Sequence, residues 1–190
     1  MMTDILVIAN RGQYNHRIYR TLKYLKADVK LVKNYITISE IEEEDPKGIV
    51  IGGGPYLDEI GNSGEILNRF CEEIPFLGIC LGHQLMAKAF GGEVRTAEIG
   101  EYAGSRIIVD EEDDILRGLG PEFEAWVSHK DEVLTLPKEF IKLAHSKMCR
   151  VEAMKHVSLP LYGVQFHPEV EHTPKGPELF KNFLGVCGIS

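Results

Sequence analysis

I-P-F-L-G-I-C-L-G-H-Q, residues 74–84, is the stretch around which the chain is organised. Phe76 to Ile79 is an unbroken apolar run, as a strand buried on both faces requires, and Gln84 to Phe90 is a helix-forming run. Cys80 therefore falls at a strand-to-helix corner. Gly78 and Gly82 flank it two residues away on each side, giving G-x-C-x-G, the cysteine counterpart of a serine nucleophile elbow. Glycines at those positions let a tight corner form and lift the thiol into a cleft. The first free N–H groups of the following helix point at the same place, where they favour an anion and can hold a developing oxyanion. An isolated cysteine after a strand is more often a packed core thiol. The paired glycines reverse that expectation, and a histidine base elsewhere in the chain has to complete it.

Working upstream, Asp4 to Asn10 reads as a buried first strand, and Ile18, Leu22 and Leu25 recur at helical spacing. Val29 to Val32 is a second strand. Ile36 to Glu44 predicts a short helix capped by Ser39, and Lys47 to Ile51 is a third strand. With a helix near Gly64 to Glu72, the alternation predicts an α/β, doubly wound, mostly parallel sheet with helices on both faces. Ligands collect at the carboxyl ends of such strands, where Gly52-Gly53-Gly54-Pro55 follows the third. That turn lacks the Lys and Ser of a phosphate loop, but it can aim N–H groups at a carbonyl oxygen.

Downstream of the stop signal Gly91-Gly92 the pattern changes. Short alternating stretches at Ser105 to Val109, Glu122 to Val127, Ile141 to His145, Val151 to Met154 and Leu161 to Gln165 predict a small antiparallel addition and returning strands. A last helix is expected over Gly176 to Val186. No repeat or linker breaks the chain, so a single domain over residues 1–190 is expected.

Tyr162 to Phe166 is an apolar strand that delivers His167, Pro168 and Glu169. Proline forbids a helix there, and two residues of extended chain would bring imidazole and carboxylate to one side. A carboxylate on one ring nitrogen sets the tautomer and leaves the other free to accept a thiol proton. A metal set of His167, Glu169, Glu171 and His172 is the rival. Neither H-E-x-x-H nor H-x-x-E-H is present, and no metal is expected.

Composition bounds the function. The chain has 190 residues, enough to bury roughly 70% of its unfolded surface. A net charge of −8 argues against nucleic acid or an anionic membrane as partner. Acidic runs at Glu40 to Asp45 and Asp110 to Asp114 read as solvated helix ends or loops. Cys71, Cys80, Cys149 and Cys187 form no C-x-x-C pair, and Ile5 to Ala9 is too short for a signal sequence, so a reducing cytoplasm is the expected setting.

With these residues placed, the chain resembles the class I (triad) glutamine amidotransferases, through G-I-C-L-G-H-Q at 78–84 and V-Q-F-H-P-E at 164–169. Within that family, R-G-Q-Y-N-H-R-I-Y-R near the N-terminus, G-G-G-P at 52–55 and W-V-S-H-K-D at 126–131 resemble the separate glutaminase subunits of GMP synthetases. The family usually has Ser-Gly-Gly-Pro where this chain has three glycines and Pro55.

The resemblance implies a flavodoxin-like fold and a glutaminase. Cys80 would be the nucleophile, His167 the base and Glu169 its orienter. Backbone N–H groups of Gly53, Gly54 and Leu81 would form the oxyanion hole. Gln84, with the backbone of Ser128 and His129, would hold the amino acid head of glutamine. Trp126 reads as core or cleft wall, and Asp131 as a partner contact. The chain lacks a P-loop and an S-G-G-x-D-S loop, so no cofactor is expected in it. ATP and Mg would belong to a separate ATP-pyrophosphatase synthetase subunit that converts xanthosine monophosphate to GMP. Service to another synthase such as anthranilate synthase, a silent regulatory module, and a free-standing thiol hydrolase on γ-glutamyl substrates are the alternatives.

Overall fold

In the computed structural model, which describes residues 3–189, strand and helix alternate through the first half of the chain. The elements are β1 (Ile5–Ala9), α1 (Asn15–Tyr24), β2 (Val29–Lys33), α2 (Ile38–Glu44), β3 (Gly48–Ile51), α3 (Ser63–Phe70), β4 (Phe76–Ile79) and α4 (Leu81–Ala89). Then come β5 (Glu93–Val109), β6 (Glu122–Thr135), β7 (Phe140–His145), β8 (Ala153–His156), β9 (Leu161–Val164) and α5 (Gly176–Val186). The strands form one sheet in the order β2-β1-β3-β4-β9-β8-β7-β5-β6. Its first five members are parallel neighbours, and the flank from β8 to β6 is antiparallel. The parallel part has the flavodoxin-like order, with its switch point between β1 and β3.

Strand periodicity divides the core in two. Ile5, Val7, Val50, Leu77 and Ile79 face one side, where α1 and α5 supply Ile18, Leu22, Leu179, Phe180 and Phe183. Leu6, Ile8, Ile49, Ile51 and Phe76 face the other, against Ile41 of α2, Ile66, Leu67 and Phe70 of α3, and Leu85 and Met86 of α4. Each fully buried Leu, Ile or Phe contributes about 1.5–3 kcal/mol, so both faces of the parallel strands are committed to packing. Chemistry is left to their ends.

Several elements differ from the sequence reading. Thr37, not Ser39, caps α2: its hydroxyl accepts from the Glu40 N–H while the Glu40 carboxylate accepts from the Thr37 N–H, a reciprocal capping box that outcompetes a lone serine two residues further in. Helix α4 begins at Leu81, three residues earlier than expected, because the elbow passes straight into its first turn. The short stretches between Glu93 and Val133 are parts of two long strands that pair as a ribbon, with register shifts at Glu93/Val94 and between Thr96 and Glu101. Their middles carry little apolar alternation because most of β5 is solvent-facing. The eighth strand starts at Ala153 rather than Val151. Within the second acidic run, Lys155 pairs with Asp113, and the Tyr162 hydroxyl donates to Asp114 at 2.8 Å, so that run is tied to the sheet. No helix among the described residues is long and apolar enough to cross a membrane.

Candidate active site

Cys80 stands between β4 and α4 with φ 53° and ψ −101°, a region that a residue with a side chain occupies only under compulsion. The compulsion is visible on both sides. A Cβ on Gly78 would sit 2.5 Å from the Gly82 backbone, and one on Gly82 would collide with the Ile51 carbonyl oxygen. The Cys80 N–H donates to the Val164 carbonyl of β9 at 2.8 Å, and the Cys80 carbonyl accepts from the Gln84 N–H at 3.1 Å. The corner is thereby fixed to the sheet and to the helix at once.

From the neighbouring strand β9 the chain leads to His167. Its Nδ1 lies 2.8 Å from Glu169 Oε1, with both side chains buried. The pair does not meet along an extended segment as expected. The Val170 N–H donates to the His167 carbonyl at 3.3 Å, closing a turn in which Pro168 and Glu169 are the central residues. Proline's fixed φ suits the second position of such a turn. Burial disfavours a charged imidazole here, yet the Glu169 carboxylate and the adjacent Cys80 sulfur outweigh it and hold His167 well above its ordinary range. Nε2 of His167 has no hydrogen-bond partner among the described residues, and the Cys80 thiol is directed at the Ser128 carbonyl, 3.9 Å away.

Gly53 lies between these two groups. A Cβ on it would be 3.5 Å from His167 Cε1 and 3.7 Å from Cys80 Cβ. The glycine turn is held from the opposite side. Asn10 Nδ2 donates to the Gly52 carbonyl at 3.2 Å, and the Gly53 carbonyl accepts from the Gly12 N–H at 3.2 Å and Asn15 Nδ2 at 3.0 Å. In a trans peptide the N–H points away from its carbonyl, so these bonds turn the Gly53 and Gly54 N–H groups away from Asn10, Gly12 and Asn15. Cys80, His167, Gly53, Gly54, Gln84, Ser128 and His129 all border one cavity of about 650 Å³. That is the size of a small-molecule site.

The fold gives several of these residues partners within the chain. Gln84 reaches the cavity, but its Nε2 donates to the Asp131 carbonyl at 2.7 Å and to Gln165 Oε1 at 3.1 Å. The Asp131 carboxylate accepts from the Thr96 hydroxyl at 2.7 Å. Trp126 acts through its backbone: its carbonyl accepts from the His167 N–H at 2.8 Å, and its N–H donates to the Thr173 hydroxyl at 2.9 Å. Thr173 donates in turn to the His167 carbonyl at 2.7 Å. Thr173, Asn15 and Gln165 escaped sequence reasoning, as did Tyr14, whose ring meets that of His167 edge-on at 4.9 Å. Tyr14 and Asn15 lie inside the R-G-Q-Y-N-H stretch, the one signal that pointed toward them. His83 of the elbow helix is fully buried, and burial with His129 nearby lowers it to about 3, so it packs as a neutral ring.

The metal-ligand types that converge are not the four of the rival metal reading. Among the described residues they are His129, which lines the cavity, with Cys149 and Glu152, and their ligand atoms lie within 4.8 Å of one another. Burial, with Glu101 and Glu132 nearby, pushes Glu152 up to about 8, and burial likewise raises the Cys149 thiol. Both groups are therefore neutral near pH 7.

A cysteine on a strained elbow, a carboxylate-backed histidine and a glycine turn in one cavity define a thiol acyl-transfer site on a flavodoxin-like sheet. The model of the glutamine amidotransferase class-I family matches residues 6–186, and the chain belongs to that family. Among its relatives, a GMP synthase (glutamine-hydrolyzing) subunit of Methanothermobacter thermautotrophicus is 56% identical over 98% of this chain and 99% of that protein. Its counterpart in Methanocaldococcus jannaschii is 52% identical over 97% of each. Among solved structures, a putative GMP synthase subunit from Thermoplasma acidophilum superposes with a TM-score of 0.92 at 38% identity, covering 99% of this chain and 95% of that one.

Proposed function

We propose that the chain is the glutaminase subunit of a GMP synthase. It hydrolyses glutamine to glutamate and ammonia and passes the ammonia to a separate ATP-dependent synthetase that aminates xanthosine monophosphate. The observation that carries this is the buried His167–Glu169 pair sharing a cavity with Cys80, in a chain that matches glutamine-hydrolyzing GMP synthase subunits over nearly its whole length.

The chemistry follows from the geometry. His167 Nε2, free of partners, takes the thiol proton, and the sulfur attacks the side-chain amide carbon of glutamine. Charge on the amide oxygen is met by N–H groups of the glycine turn and of Leu81 at the start of α4. His167 returns the proton to the leaving nitrogen, ammonia departs, and a γ-glutamyl thioester remains. Water, deprotonated by the same imidazole, releases glutamate and restores the thiol.

Free ammonia is mostly protonated at neutral pH and so lost as a nucleophile, which makes a docked synthetase necessary. ATP and Mg belong to that partner, and no cofactor is needed in this chain. In the isolated chain the thiol addresses Ser128 and leaves Nε2 unpaired. Docking of the synthetase completes the site, so turnover of the isolated chain is low. The four cysteines are free thiols, in keeping with a reducing cytoplasm.

Glutamate release from wild type and Cys80→Ala, each with and without the purified synthetase, tests the proposal. The wild type should accelerate on adding the synthetase while the variant stays at background. Equal rates in the two proteins overturn it. Full activity indifferent to the synthetase favours a free-standing hydrolase instead.

A further inference from the structure

Gly52 opens the glycine turn at the position where the chain departs from the serine usual in its family, and Asn15 takes up the space. A Cβ on Gly52 would lie 1.9 Å from Asn15 Oδ1 and 2.9 Å from Asn15 Cγ. Gly52 is not one of the glycines of positive φ, so the obstacle to a side chain there is this contact and not the backbone. Asn15 is buried at the first position of α1. Its Nδ2 donates to the Gly53 carbonyl at 3.0 Å and to the Gly12 carbonyl at 3.2 Å. Carbonyls only accept, so the amide cannot be turned over, and its oxygen is left facing Gly52 with no hydrogen-bond partner among the described residues. An unmatched buried oxygen costs stability, which marks the two bonds at the other end of the amide as the reason for the residue.

We infer that Asn15 is a positioning residue that fixes the direction of the Gly54 N–H in the oxyanion hole, and that Gly52 is its obligate partner, the residue that leaves room for it. The Gly53–Gly54 peptide has a glycine on each side, so its own φ/ψ preferences impose little direction and its hydrogen bonds set it. The Gly53 carbonyl accepts from Asn15 Nδ2 and from the Gly12 N–H, both on the segment that joins β1 to α1. In a trans peptide, a carbonyl held toward Asn15 points the Gly54 N–H the opposite way. Loss of the Asn15 amide leaves that carbonyl with the longer bond, 3.2 Å from the Gly12 nitrogen. An oxyanion donor works by being aimed before the charge develops, so a loosened turn slows the chemical step and not the binding of glutamine. The inference deepens the glutaminase reading above and rests on it.

Steady-state glutamate release in the complex with the synthetase tests it, with alkylation of Cys80 by iodoacetamide as a second readout. Asn15→Asp keeps the shape and removes the donor, and it should lower kcat about tenfold or more with KM for glutamine unchanged. Asn15→Ala should lose a similar amount. Gly52→Ala drives a methyl into Asn15 Oδ1 and displaces the amide. It and the double variant Asn15→Ala/Gly52→Ala should therefore fall to the level of Asn15→Ala, one loss shared by all three. Alkylation is a displacement at a saturated carbon that forms no oxyanion, so it should run at the wild-type rate in every variant. A wild-type kcat in Asn15→Asp overturns the positioning role in favour of packing, and a raised KM at unchanged kcat overturns it in favour of substrate binding. Losses that multiply to about a hundredfold in the double variant overturn the pairing. Alkylation that slows in step with kcat overturns both, because the fault then lies at the sulfur. Should Gly52→Ala fail to fold, a folded double variant supports the pairing and an unfolded one overturns it. If the wild type releases no glutamate with the synthetase, the proposed function fails and Tm decides the pairing. A Gly52→Ala loss that disappears in the Asn15→Ala background then supports it, and an equal loss in both backgrounds overturns it.

Discussion

Glu152 is fully buried among acids, with Glu101 and Glu132 near its carboxyl and His129 and Cys149 beside it. Its folded value near 8 lies above the 4.5 of an ordinary glutamate, so between those pH values the folded chain retains a proton that the unfolded chain has released. Stability rises with pH only where the unfolded state binds more protons, and here the sign is opposite. The Glu152 contribution therefore erodes as pH climbs from about 4.5 to 8 and is constant above. Glu152→Gln copies the neutral acid without its proton. Its Tm advantage over wild type should be small at pH 5 and clearly larger at pH 8; an advantage that does not change with pH means the carboxyl is not held neutral. The sequence showed no sign of this residue, since V-E-A-M reads as ordinary strand alternation. Its surroundings depend on tertiary packing that brings His129 and Glu132 of β6 beside it, which no local pattern encodes.

At the scale of elements, the elbow is where the sequence is most legible. Phe76–Ile79 is the observed strand to the residue, and the two glycines mark the contacts that no side chain survives. Gly82→Ala drives a methyl into the Ile51 carbonyl and has to lever α4 off β3. Denaturant unfolding should show a loss of upwards of about 2 kcal/mol, as overpacking of a tight core produces. Gly185→Ala in α5 is the control: a methyl there meets nothing within 4 Å, and alanine should stabilise by about 0.5–1 kcal/mol. Equal effects at the two sites refute the steric account of the corner. Element boundaries were less legible where polar side chains compete for backbone groups. Thr37 and Ser39 are both capping types, and the reciprocal bond with Glu40 chose between them.

Across the whole molecule, the site is assembled from segments that are far apart in sequence and joined by the sheet. The base arrives on β9 because β9 inserts beside β4, and the ribbon closes over it where Trp126 pairs with His167. One hydroxyl locks that closure, Thr173, which bonds both strands' backbones. Thr173→Val leaves the buried Trp126 N–H unmet and the His167 carbonyl with the Val170 N–H alone, at a cost of about 1–3 kcal/mol. It should lower kcat roughly tenfold with little change in KM, because a loosened imidazole is a positioning fault. Thr173→Ser keeps the hydroxyl and should retain activity. Steady-state kinetics in the complex check this, and a valine variant with wild-type kcat removes Thr173 from the account.

The chain's own residues determined the alternating strands and helices, the cysteine elbow, and the histidine and glutamate beside Pro168, because each is written in local periodicity or in residues that only one backbone geometry tolerates. Tertiary structure alone decided that Gln84 turns to Gln165 and Asp131, that Glu152 is neutral, and that Thr173 and Asn15 hold the two sides of the site. Those outcomes depend on which polar atoms meet across strands distant in sequence, and the partner of a buried polar group is chosen by packing rather than by its neighbours in the chain.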